Sequence, residues 1–201
     1  DNFPALLIWL PLFGGLLSFF LKSAQPSKTS AIIFSASSLV VVLVSLFFSG
    51  KEHFLLNQVS YQWLTSIGSN FGLILDGLTR TMALLTAIVF FLVFLLIPAE
   101  QYKEANKFFG LMLLTQCGLY GVFMATDALV FYLFWELALI PVYFLASIWG
   151  GEKRIRATFK FFIYTFMGSL FMLLAILYMY NKTNGVSFSL MSFFNLNNTV
   201  S

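Results

Sequence analysis

The chain has 201 residues, 60% hydrophobic and 9% charged, with a net charge of +3 and a mean hydropathy of +0.90. Water-soluble domains carry about 25% charged residues, so this composition belongs to an integral membrane protein. Its basic residues are scattered near segment ends, which argues against nucleic-acid binding, and there is no glycine-rich phosphate loop. Cys117, the one cysteine, lies in an apolar run and supplies neither a disulfide nor a metal or iron–sulfur ligand set.

Hydropathy draws six spans. The first runs from about Pro4 to Leu21 and lacks a small-residue cleavage site, so it reads as a true span rather than a signal peptide. The second covers Thr29 to Phe48. Residues 50–76 are polar and aromatic: Val59, Tyr61 and Trp63 alternate with Ser60, Gln62 and Leu64, and Gly68-Ser-Asn70 turns the chain into 71–75. That pattern predicts a short β-hairpin lying on the membrane surface, with His53 solvated in the stretch before it. The third span runs from Gly77 to Pro98. Asp76 is placed to cap it, a proton-exit role being the less supported alternative, and Arg80, one turn in, reads as a snorkelling side chain.

The fourth span covers Phe108 to Ala125, where Cys117, Gly118 and Gly121 make a small face suited to close helix packing. Thr126-Asp127 is a very short joint, so spans four and five form an antiparallel hairpin with Asp127 as N-cap. The fifth span is Ala128 to Trp149 and the sixth Thr158 to Tyr180, before a polar tail from Asn195. Two parts follow: residues 1–106 with three spans and the hairpin at about 50–76, and residues 107–201 with spans four to six. The fold class is all-α membrane protein, six transmembrane helices plus one external β-hairpin.

Glu136 stands near the middle of the fifth span with no other charge in that run. An ionised carboxylate there costs several kcal/mol on an isolated helix, so it must face protein or water. Pro141, five residues on, cannot donate a hydrogen bond, so the Leu137 carbonyl loses its helical partner. Burial raises a carboxyl pKa and a nearby lysine lowers it, so such an acid suits proton uptake and release. The competing reading is a protonated Glu136 that only hydrogen-bonds a neighbouring helix. Lys160, near the start of span six, is too far for direct pairing, because Glu136 lies roughly 20 Å from the inner end of its helix. It either lines an inner proton inlet or snorkels as an ordinary interface lysine. Tyr164, Thr165 and Ser169 offer hydroxyls for a water path or for helix contacts.

Lysine and arginine set the predicted orientation. Lys22, Lys28, Lys103, Lys107, Lys153, Arg154, Arg156 and Lys160 fall on one side, and only Lys51, Arg80 and Lys182 on the other. The basic side is inside, which puts both ends of the chain and the hairpin outside.

The segment FWELALIPVYFLASIWG (134–150) resembles the fifth-helix signature of the antiporter-like membrane subunits of respiratory complex I. Its W-E-L-x-L-I-P-x-Y-F-L form is similar to the subunit M branch, called subunit 4 in mitochondria. FGLILDG (71–77), GVFMATD (121–127) and ATFKFFIYT (157–165) agree with it. The resemblance implies the N-terminal part of an antiporter-like fold and a proton-translocating subunit of a NADH–quinone oxidoreductase in a bacterial inner membrane. Glu136 matches the family's essential glutamate, whose lysine partner sits on a seventh helix. No cofactor is expected in this chain; NADH, FMN, iron–sulfur clusters and quinone belong to other subunits. The implied partners are the neighbouring antiporter-like subunits and the lipid bilayer. Two further readings remain: a subunit of a multisubunit cation/proton antiporter or membrane-bound hydrogenase, and a helical scaffold in which Glu136 only joins helices.

Overall fold

The computed structural model describes residues 2–48, 56–183 and 187–195. Six helices in it are long and apolar enough to cross a membrane: α1 (Phe3–Phe20), α2 (Ala24–Phe47), α3 (Gly77–Leu96), α4 (Ala105–Met124), α5 (Ala128–Trp149) and α6 (Arg154–Lys182). A short α7 (Leu190–Asn195) follows. Strands β1 (Gln58–Leu64) and β2 (Ser69–Ile74) pair antiparallel between α2 and α3, as the alternation around Tyr61 predicts. A turn of 3₁₀-helix and Gly68, left-handed at φ 69°, join them. His53 lies outside the described residues.

Helices α2, α4 and α6 each begin three to five residues earlier than hydropathy places them, α4 at Ala105 rather than Phe108. Helix α2 starts at Ala24 rather than Thr29, because a first turn tolerates Pro26 and polar residues that a hydropathy window rejects. Helix α6 starts at Arg154, and its 29 residues reach about 43 Å, longer than the roughly 30 Å hydrocarbon layer. Its basic first turns therefore project beyond the apolar region.

Helix α4 is the axis of the bundle. It is the most enclosed span, with α1, α2, α3 and α5 packed around it, while α6 contacts α5 and is the most exposed. Close approach is built from small residues: Gly15 meets Gly110 between α1 and α4, and Gly118 meets Ala138 between α4 and α5. Cys117, on the same small face, directs its thiol at the Ile8 carbonyl of α1 at 3.4 Å. On the lysine-rich side, Lys28 Nζ donates to the Leu95 carbonyl at 3.2 Å, satisfying one orphan acceptor at the end of α3.

The six long helices bring Asn2 and Phe188 to the hairpin side, where Asn2 Nδ2 donates to the Gln58 carbonyl and Phe188 N–H to the Gly68 carbonyl. Asp76 caps α3 as predicted: its Oδ1 accepts from Thr79 N–H and its own N–H donates to Thr79 Oγ1, both at 2.8 Å. Arg80 departs from expectation. Rather than snorkelling it is 7% exposed, and its Nη2 donates to Asn57 Oδ1 and to the Leu75 carbonyl, both at 3.0 Å. The hairpin's base folds over the start of α3, so the guanidinium finds acceptors in protein rather than in the headgroup layer.

Candidate functional site

The site is organised by the joint before α5. Asp127 is 3% exposed, and its Oδ1 accepts from Leu129 N–H at 2.9 Å and Val130 N–H at 3.4 Å, capping α5. It does more than the predicted cap. Ser69 Oγ donates to the same Oδ1 at 3.0 Å, and Asn70 N–H donates to Oδ2 at 3.2 Å, so one carboxylate ties β2 to α5. Backbone bonds extend the tie: Thr126 N–H to the Gly72 carbonyl, Ala128 N–H to that of Phe188, and Leu190 N–H to that of Thr126. Hairpin, helix joint and the segment after α6 are thus one hydrogen-bonded unit.

From that anchor α5 descends without interruption past Pro141, which is buried inside the helix. Glu136 is half-buried, and its Oε1 is fully enclosed without a hydrogen-bond partner. Such an atom is costly unless the carboxyl is protonated or gains a water or a cation. Tyr132 sits one turn above, and its phenol lies close enough to interact with both Glu136 and Ser169 of α6. Tyr143 continues the same face of α5 and meets Phe162 of α6, ring centroids 5.1 Å apart. Beside this face a groove of about 490 Å³ opens between α4, α5 and α6, walled by Trp135, Ala138, Leu139, Phe161 and Thr165.

Across the α4–α5 contact, Gly118 opposes Ala138 and Gly121 opposes Phe134. In an antiparallel pair this sets Glu136 level with Tyr120, on the far flank of α4. There Gln116 Nε2 donates to the Tyr120 hydroxyl at 3.0 Å, and Tyr120 also interacts with Ser38 of α2. Gln116 is fully buried, with its Oε1 unpartnered.

Lys160 is not brought to Glu136. It is exposed, and the contacts of Tyr132 with Ser169 and Tyr143 with Phe162 place it about 10 Å away along the helix axis. Thr165 and Ser169 donate to the Phe161 and Phe166 carbonyls of their own helix, and Tyr164 is exposed. Tyr132, Gln116 and Tyr120 were not singled out in the sequence. The spacing of four residues between Tyr132 and Glu136 was the available signal, since such residues share a helix face.

Comparison with known proteins reads the same architecture. The family described as NADH:quinone oxidoreductase/Mrp antiporter, transmembrane, matches residues 125–201, which include the whole of α5 and α6. Subunit M of the F(420)H(2) dehydrogenase of Methanosarcina mazei is 38% identical over 173 residues, covering 86% of this chain and 35% of that protein. Residues 125–201 thus match the membrane domain of this family, and most of the chain is similar to relatives named as subunit M. NADH-quinone oxidoreductase subunit M of Rickettsia typhi is 33% identical over 190 residues, 89% of this chain and 38% of the relative. A chain of respiratory complex I from Thermus thermophilus superposes with a TM-score of 0.80 at 30% identity, over 94% of this chain and 38% of that one. The chain therefore spans between a third and two-fifths of the length of these family members, and its relatives by name are of the subunit M type.

Proposed function

We infer that this chain forms part of a proton-translocating membrane subunit of a NADH–quinone oxidoreductase, with Glu136 as a proton-accepting and proton-releasing group. The observation that carries the reading is the enclosed, unpartnered Oε1 of Glu136 in mid-span, beside Tyr132 and a groove between three helices. An intramembrane acid with an unsatisfied atom is poised to change partners. Lys160, exposed on the lysine-rich side, is assigned to an inner proton inlet, or serves there as an interface lysine. Redox chemistry, with NADH, FMN, iron–sulfur clusters and quinone, is assigned to other subunits, and the neighbouring antiporter-like subunits are the direct partners. The orientation follows the basic residues, with the hairpin side outside a bacterial inner membrane.

The Methanosarcina relative is named for a different electron donor, which fits a membrane subunit whose task is independent of the donor. Glu136→Gln in the intact complex tests the reading. It keeps shape and removes the titrating group, so quinone-coupled proton pumping is expected to be nearly abolished; pumping at the wild-type level would overturn the assignment. The family also includes Mrp antiporters, which favours a second reading, a subunit of a cation/proton antiporter. Proton-coupled sodium movement in vesicles without electron donor would support that reading over the first.

A further inference from the structure

Helix α6 is exposed along most of its length, and its buried residues are Thr158, Ser169 and Ile176. Ser169, 3% exposed, is therefore a polar group held against a neighbour. That neighbour is α5. Tyr143 meets Phe162, and two turns on from this contact α6 presents Ser169 while the antiparallel α5 presents Glu136, with Tyr132 one turn further. The Tyr132 phenol lies close enough to interact with both, and its ring packs against the apolar group of Ala128 and Ile176. The enclosed, unpartnered Oε1 marks the Glu136 carboxyl as short of one hydrogen bond.

Hydrogens decide what these groups can do. Ser169 Oγ gives its own hydrogen to the Phe166 carbonyl at 2.9 Å, so toward Tyr132 it can only accept. An ionised carboxylate also only accepts, whereas a protonated one donates. Tyr132 thus has one hydrogen for two acceptors. A bond to a charged acceptor is about twice as strong as a neutral one, so ionised Glu136 takes that hydrogen. Protonated Glu136 instead donates to the phenol oxygen and frees the phenol hydrogen for Ser169. Few other ionisable groups face this point. From α4, Tyr120 and Cys117 turn toward α2 and α1, and Lys107 lies in the first turn. From α6, Tyr164 is exposed and Lys160 stands about 10 Å off along the axis, while β2 holds no ionisable residue.

We propose that Tyr132 is a positioning residue for Glu136, its phenol hydrogen given to the ionised carboxylate and turned to Ser169 Oγ when Glu136 is protonated. In the protonated state one chain of donors runs from Glu136 through Tyr132 and Ser169 to the Phe166 carbonyl, joining α5 to α6. In the ionised state the link to Ser169 is broken. Tyr132 stays neutral throughout, and the proton that Glu136 gains or loses is exchanged with water. The part this exchange plays in transport rests on the proton-transfer role of Glu136; the exchange itself does not.

The test uses the intact complex in its native membrane, with isotope-labelled tyrosine, and follows infrared difference spectra through a pH titration. The phenol C–O vibration separates a tyrosine that only donates from one that also accepts. Wild type is expected to show a tyrosine band that shifts together with the Glu136 carboxyl band. Tyr132→Phe keeps the ring and its packing and should lose the band, and Glu136→Gln should lose its shift. Ser169→Ala should alter the band of the protonated form alone. Tyr132→Phe is also expected to lower the protons moved per quinone reduced. A tyrosine band that ignores the Glu136 carboxyl, that survives Tyr132→Phe, or that Ser169→Ala moves in both forms alike would overturn the proposal. Wild-type pumping by Tyr132→Phe would overturn the positioning role. Wild-type pumping by Glu136→Gln, with the shifting band present in the unaltered complex, would remove the transport role and leave the exchange standing.

Discussion

The contact between α4 and α5 sets where Glu136 stands, and Gly118→Ala perturbs it with a single methyl group. A Cβ on Gly118 would lie 2.7 Å from the Ala138 Cβ, 2.8 Å from its Cα and 2.9 Å from its N. Carbon atoms pack best at about 3.5–4.0 Å, so α5 must retreat by about 1 Å at this level. Two of the three blocking atoms are backbone, and no change of rotamer relieves them. Overfilling a packed interface costs about 1–3 kcal/mol. Because Ala138 is two residues from Glu136, the shift reaches the carboxyl and its contact with Tyr132. In the intact complex, Gly118→Ala is expected to lower the thermal unfolding midpoint and, on the role proposed for Glu136, the protons moved per quinone reduced. Adding Ala138→Gly removes only the Cβ contact, so recovery should be partial. A single variant matching wild type in both assays, or full recovery in the double variant, would refute the packing argument.

Asp127→Ala removes a helix cap worth about 1 kcal/mol and leaves Asn70 N–H without its acceptor. Amide hydrogen exchange should therefore quicken together in residues 69–74 and 128–131; acceleration confined to the helix would show that the carboxylate does not tie the hairpin. Arg80→Leu deletes two hydrogen bonds from a charged donor, each worth about 1.5–3 kcal/mol, and should loosen the hairpin base around Asn57 and Leu75. Unchanged exchange at Leu75 would contradict this. Cys117, 1% exposed at the α1–α4 contact, should resist maleimide in the folded protein and react once it unfolds, and rapid labelling under native conditions would place it elsewhere.

Spans with strong apolar runs were legible in the sequence because a bilayer demands length and hydropathy, both local properties. Helix α5 is found at the predicted bounds, and Asp76 and Asp127 cap the helices they precede. What escaped is contact between distant segments. Arg80 reads as an interface side chain until Asn57, 23 residues away, is folded over it. Asp127 reads as a cap alone because Ser69 and Asn70, almost sixty residues earlier, give no local sign of meeting it. At the site, Glu136 and Pro141 were conspicuous as exceptions in an apolar run. Tyr132 and Gln116 were not, since a tyrosine or glutamine in a membrane helix gains meaning only from what it faces.

Helix α5 is fastened at both extremities. Asp127 and the backbone bonds of Thr126 and Ala128 hold its upper end. At the lower end the Trp149 indole donates to the Lys103 carbonyl at 2.8 Å and packs edge-on against Phe108. A rod clamped at each end cannot rock as a whole; under lateral load it bows. The bow concentrates where the rod is weakest, at the Leu137 carbonyl that Pro141 leaves without its intrahelical donor. That carbonyl belongs to the residue next to Glu136. The turn that carries Glu136 is thus the part of α5 with the fewest restraints, set between two fastened ends.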